Sequence, residues 1–189
     1  KSNKKLFFKY LLFMGVSLFL GTYLQQASLQ YTNIANAAFF TVFYVPIVPI
    51  LLFFIYSKKV HWSIWVSIGL CVVGVYLLSD FSDSQIMLGD GLVILCSVFW
   101  ALHIIYAGKF MEVFDIPMFY AALQAAFVGI VSLFFAIIFE DINLSNILLE
   151  GYSILYAGVL SGGIAFTLQM YAQKHIEEAP AAIIYSLEG

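Results

Sequence analysis

The chain has 189 residues, of which 63% are apolar and 10% charged, with a formal net charge of -3. A soluble domain carries about 25% charged residues, so there is too little charge here to cover a water-facing surface, and the outer surface is expected to face lipid. Nucleic-acid binding is disfavoured as well, because it needs a basic patch.

The chain opens in the Lys-rich KSNKK, without Met at position 1, and stops inside the apolar AAIIYSLEG; both ends are expected to be internal to a longer protein. Six apolar runs follow one another, at residues 6–29, 34–56, 60–79, 89–108, 117–139 and 151–172. Each reaches the ~20 residues that a spanning helix needs. A seventh run starts near Ala179 and is too short by Gly189 to cross. The connections are short and polar, so no soluble domain fits between the runs. Within a bilayer only helices and closed barrels satisfy the backbone. The expected fold class is therefore an all-α membrane protein, a multi-pass helix bundle.

Polar and helix-breaking residues within these runs are the candidates for function. The first run carries Gln25 near its far end. The second carries Tyr44, Pro46 and Pro49. Each proline removes a backbone donor and obstructs the carbonyl four residues earlier, which makes either a hinge or a static kink. In the fourth run Trp100, His103 and Tyr106 recur at helical spacing. They suit a pathway for an aromatic or cationic substrate, with Trp100 offering a π face; the plainer reading is packing plus a neutral histidine bonded to a neighbour. The fifth run holds Gln124 beside a small-residue stripe of Ala121, Ala125 and Gly129, and the sixth holds Gln169 and a GxxxG at Gly158 and Gly162. Small residues of this kind let helices approach closely, and buried glutamines bond across helices or line a pathway. Cys71 and Cys96 read as packing residues rather than a disulfide or a metal pair. Glu188 is the one ionisable side chain placed deep in a run, about 14 Å in from Ala179. Burying a carboxylate there costs about 3 kcal/mol, so it reads as a substrate or proton site, or as a protonated group bonded to another helix.

The chain has eight lysines, at 1, 4, 5, 9, 58, 59, 109 and 174, and no arginine. If the runs alternate in direction, all eight fall on one face. The opposite loops carry Asp80, Asp83, Asp90, Glu140, Asp141 and Glu150. The positive-inside rule makes the lysine face cytoplasmic, and a wrong count of spans would have scattered the lysines.

Residues 24–44 align with 168–188: Leu24, Gln25, Ala35, Ala37 and Ala38 match Leu168, Gln169, Ala179, Ala181 and Ala182. The two segments would run in opposite directions, the inverted arrangement of many secondary transporters, whose substrate sites lie between the halves. Inversion would set Gln25 and Gln169 at opposite mouths of one cavity. The stretches SLQYTNIANAAFFTVFYVPIVPILL and SIGLCVVGVYLL resemble the fourth and fifth helices of the EamA-type transporters of the drug/metabolite transporter superfamily. GDGLVILCSVFWALHIIYAGK and QKHIEEAPAAIIYSLEG resemble the sixth helix and the eighth-to-ninth junction. The resemblance implies a ten-helix fold of two inverted five-helix repeats, with 1–80 the later part of the first repeat and 89–189 the earlier part of the second. Helices one, two and ten would lie outside this chain. Where that family often has Glu-Pro, this chain has Glu188-Gly189.

No HExxH, GxSxG, CxxC or P-loop is present. The expectation is a carrier rather than an enzyme, with no cofactor and no metal, driven by an ion or substrate gradient. A non-transporting structural subunit is the alternative. Its expected partners are the lipid bilayer, a small-molecule substrate, a proton or other cation as coupling ion, and a second copy of itself. The expected location is the bacterial cytoplasmic (inner) membrane.

Overall fold

The computed structural model describes residues 2–59, 61–78 and 88–188, with the side chains of 2, 3, 67, 71, 72, 75, 76, 78 and 188 left aside. All regular structure among the described residues is helical. In chain order it comprises α1 (Ser2–Ser28), α2 (Ile34–Thr41), α3 (Tyr44–Tyr56), α4 (Trp62–Leu78), α5 (Leu88–Phe114), α6 (Pro117–Phe139), α7 (Leu144–Leu149) and α8 (Gly151–Tyr156). A π-helical stretch (Ala157–Ala165) then leads into α9 (Phe166–Gln173), and α10 (Glu178–Tyr185) ends in a 3₁₀ turn (Ser186–Glu188).

Among the described residues five helical segments are long and apolar enough to cross a membrane: Lys4–Ser28, Ile34–Tyr56, Leu88–Phe114, Pro117–Phe139 and Gly151–Gln173. The protein is thus a multi-pass, all-α integral membrane protein. The sixth expected span, at 60–79, appears as the 17-residue α4. Residues 60 and 79, the two ends of that expected span, lie outside the described part of the chain.

α5 is the central helix. It packs along α1 and also touches α2, α3, α9 and α10. Two apolar clusters flank it. One joins Val45, Val48 and Leu52 of α3 to Ala101, Ile104 and Ile105 of α5 and to Ala179 and Ala182 of α10. The other joins Met14 of α1 to Phe110, Tyr120 and Met170 from α5, α6 and α9. Much of the exposed surface is apolar: Ile130, Leu133, Phe134 and Phe139 of α6 are exposed, as are Tyr152 and Leu155 of α8.

The second span breaks at Val42 and Phe43, between α2 and α3. Pro46 explains the position: it has no N–H for the Val42 carbonyl, which accepts instead from Val45 N–H at 2.9 Å. Pro49 lies farther on, inside a helix that stays continuous to Tyr56.

The small-residue expectations need revision within this chain. Ala121 is buried, but Ala125 and Gly129 are exposed, and no neighbour stands within 4 Å of a side chain placed at Gly129 or Gly158. Gly162 meets only the carbonyl of Ala157 in its own turn. The GxxxG falls in the π-helical stretch, whose wider turns rotate its side chains away from the simple α spacing. The close approaches occur at other glycines. Gly15 faces the Phe127 ring of α6, and Gly89 sits against the backbone of Ser28 and Tyr31.

Candidate functional site

Between α1, the α2–α3 break, α5, α9 and α10 lies a cavity of about 710 Å³. That is within the range of about 300–1,000 Å³ usual for small-molecule sites. Its aromatic wall is Trp100 of α5 beside Phe166 of α9, their planes 12° apart and their centroids 6.3 Å apart. Its polar groups include Thr22 and Gln25 of α1, Thr41 of α2, and Gln169 and Tyr185 of α9 and α10. None of the described lining residues carries a formal charge.

The lining has an internal order. In the alignment of 24–44 with 168–188, α2 falls on α10, and both are eight residues long. Continued to the neighbouring positions, the same register pairs Thr22 with Phe166, Gln25 with Gln169, Thr41 with Tyr185 and Val42 with Ser186; all eight line the cavity. Even the cross-links correspond. The Gln25 side chain donates through Nε2 to Thr41 Oγ1 at 3.4 Å, and Tyr185 OH donates to the backbone carbonyl of Gln169 at 3.3 Å. Each links the long helix to the short one after it at equivalent positions.

The sequence candidates therefore separate into groups. Gln25, Tyr44, Trp100 and Gln169 meet at the cavity, the two glutamines on one chamber. His103 and Gln124 lie behind its wall. His103 is fully buried, its Nε2 lies 3.1 Å from Gln124 Oε1, and its ring packs edge-on to Trp100 and Phe166. Tyr106 does not share their face; it stacks on Phe13 of α1. The reason is helical drift, since two steps of three residues rotate by about 120° away from the starting direction. Cys96 is buried, and its thiol donates to the Gly21 carbonyl at 3.2 Å. The backbone of Glu188 closes the 3₁₀ turn beside the cavity-lining Ser186, while its side chain lies outside the described residues.

Two buried acids escaped the sequence reading, which placed both in loops. Asp90, 3% exposed in the first turn of α5, accepts from Thr32 Oγ1 at 2.7 Å. Glu178, 2% exposed, is the first residue of α10. Its Oε2 is 3.0 Å from Lys58 Nζ, and its Oε1 is 3.3 Å from Lys109 Nζ. Burial alone would push the Glu178 carboxyl up. Its own backbone N–H, the Lys58 hydrogen bond and the Lys109 charge outweigh that and hold it below the usual carboxylate range. It is thus ionised at neutral pH. The available sequence signal was Glu178 standing two residues before Pro180, the pattern of an acidic first helical turn.

Lys58, Lys109 and Lys174 gather at one end of the bundle, with Lys174 2.8 Å from Asp115. Among the described residues no group of His, Cys, Asp and Glu is arranged to hold a metal ion.

The family model described as "EamA-like transporter family" matches residues 1–80 and 87–189. The chain is similar to an "Uncharacterized transporter" of Archaeoglobus fulgidus, 30% identical over 179 residues. The alignment takes in 93% of this chain and 56% of that relative, so the chain spans little more than half of the relative's length. No solved structure matches the chain at a significant level.

Proposed function

Because the chain belongs to the EamA-like transporter family, we propose that it forms the core of a secondary carrier, an exporter or permease of small metabolites or drugs that works by alternating access between two inverted repeats. The observation that carries this reading is the cavity to which two segments each contribute four lining residues at equivalent positions. A substrate held between repeat halves meets equivalent groups from each, and a rocking of one half against the other exposes it to either side. A structural subunit has no use for amides and hydroxyls lining a common chamber, since polar groups in a bilayer are costly unless paired.

The lining supports a solute of metabolite size with both a flat apolar face and hydrogen-bonding groups. Trp100 and Phe166 offer the apolar surface; Gln25, Thr41 and Gln169 offer the polar partners. On the positive-inside rule the end bearing Lys58, Lys109 and Lys174 faces the cytoplasm of a bacterial cell. Without a nucleotide-binding motif in the chain, the driving force in this reading is a solute or cation gradient.

The test is uptake and efflux of a panel of radiolabelled or toxic metabolites in cells expressing the full-length protein. Ala38→Trp, which fills the cavity from its lining, is expected to abolish the transport that the unmodified protein confers. Transport that persists in Ala38→Trp, or a panel on which the protein confers no flux, overturns the reading.

A further inference from the structure

Toward the lysine-bearing end of the cavity, α3, α5 and α10 meet in two layers. The inner layer is apolar: Val48 and Leu52 of α3, Ile105 of α5, and Ala179 and Ala182 of α10. The outer layer is ionic, with Glu178 at the start of α10 reaching both Lys58, just past the end of α3, and Lys109, near the end of α5. The ends of three elements converge on one carboxylate.

The seat of that carboxylate is specific. A Cβ at Gly108 would stand 2.7 Å from Glu178 Cγ, so this side chain occupies the space that the glycine leaves open. Ser57 takes a left-handed conformation (φ 50°), and the Lys58 N–H then caps the Leu52 carbonyl at 3.2 Å, which fixes the base of the Lys58 side chain. The Tyr56 ring lies 5.7 Å from Lys109 Nζ. The far end of α10, at Ile184, Tyr185 and Ser186, lines the cavity. α10 is therefore a short bar, locked at one end and facing the substrate space at the other.

We propose that Glu178, paired with Lys58 and Lys109, is the positioning lock that holds the cavity closed at the lysine-bearing end; this rests on the carrier reading above. Opening toward that end requires α10 to part from α3 and α5, and that movement cannot occur without unpairing Glu178. Ionic closure suits a reversible joint. Buried ions bear a large desolvation penalty while paired, and water entering an opened passage relieves it. The separated state is thus less unfavourable than the strength of the contact suggests, and the lock can cycle. Glu177 and Glu112 lie at the rim of the same group, at 3.9 Å from Lys58 and 2.9 Å from Lys109. They offer the lysines alternative partners as Glu178 withdraws.

The experiment uses the full-length protein in membrane vesicles, with Cys71 and Cys96 changed to Ser and Ala172→Cys introduced on the cavity lining. A membrane-impermeant maleimide is applied from the lysine-bearing side. Labelling is expected to be slow in this background and to speed up by about fivefold or more when Glu178→Gln or Lys58→Gln is added. Lys58 is partly exposed, so Lys58→Gln reports even if Glu178→Gln does not fold. Unchanged labelling in the folded variants, or labelling already fast without them, overturns the lock. The readout needs no substrate. Faster labelling together with an inactive metabolite panel would leave the lock standing and count against the carrier assignment alone.

Discussion

Gly108 and Glu178 show how one missing methyl group shapes a membrane bundle. Gly108→Ala places a Cβ at 2.7 Å from Glu178 Cγ, in a spot where Lys58 and Lys109 leave the carboxyl little freedom to move. The substitution should cost about 1–3 kcal/mol through overpacking. Gly129→Ala meets nothing within 4 Å, and the better helix propensity of alanine should leave stability unchanged or raised by up to about 1 kcal/mol. Thermal unfolding in detergent compares the two; an equal loss in both would show that Gly108 is not the seat described. His103 and Gln124 invite a second measurement. Gln124→Leu leaves the buried His103 Nε2 without its partner, whereas His103→Phe combined with Gln124→Leu removes both groups. A double-mutant cycle should give a coupling of about 0.6–2 kcal/mol, and a coupling of zero would mean the pair only packs. Neither contact was legible in the sequence. Residue types are local, but the partner of each lies on another helix.

At the scale of elements, the α2–α3 break within the second span is the distinctive feature. The two prolines of α3 have different positions relative to the break. Pro46 withholds the N–H that the Val42 carbonyl would need, while Pro49 sits within a continuous helix. Pro46→Ala should therefore merge α2 and α3, lengthen the distance between spin labels placed at Ala35 and Ile50, and slow transport. Pro49→Ala should change that distance far less. Equal effects of the two would mean that tertiary packing rather than Pro46 sets the break. The kink itself could be read from the prolines, because proline acts on its own helix.

For the whole molecule, helix alternation places Lys58, Lys109 and Lys174 at one end, and the structure joins the first two through Glu178. Cysteines at Lys59 and His175 should label from one side of the membrane, and cysteines at Tyr31 and Asn146 from the other. Labelling of Lys59 and Tyr31 positions from the same side would overturn the alternation of the spans. The pairwise lining also predicts symmetry of effect: Gln25→Ala and Gln169→Ala should each weaken substrate binding, read as a rise in KM, to a similar degree. A rise confined to one would mean that the cavity is not used symmetrically. The amino-acid sequence alone determined the membrane class, the helical backbone and the approximate spans, because these depend on local composition, on run length and on the bilayer's demand that each backbone group be satisfied; the family was legible only as a resemblance of particular stretches. Only the tertiary structure decided that Phe166 stands beside Trp100 in the cavity wall, that Tyr106 turns to α1, that Gly108 rather than Gly158 is the tight glycine, and that Glu178 is buried. In a chain this uniformly apolar, hydrophobicity separates lipid from water but not lipid from protein interior. Which face of a helix meets another helix is then set by shape and by polar pairing across the chain, and neither is written in any single segment.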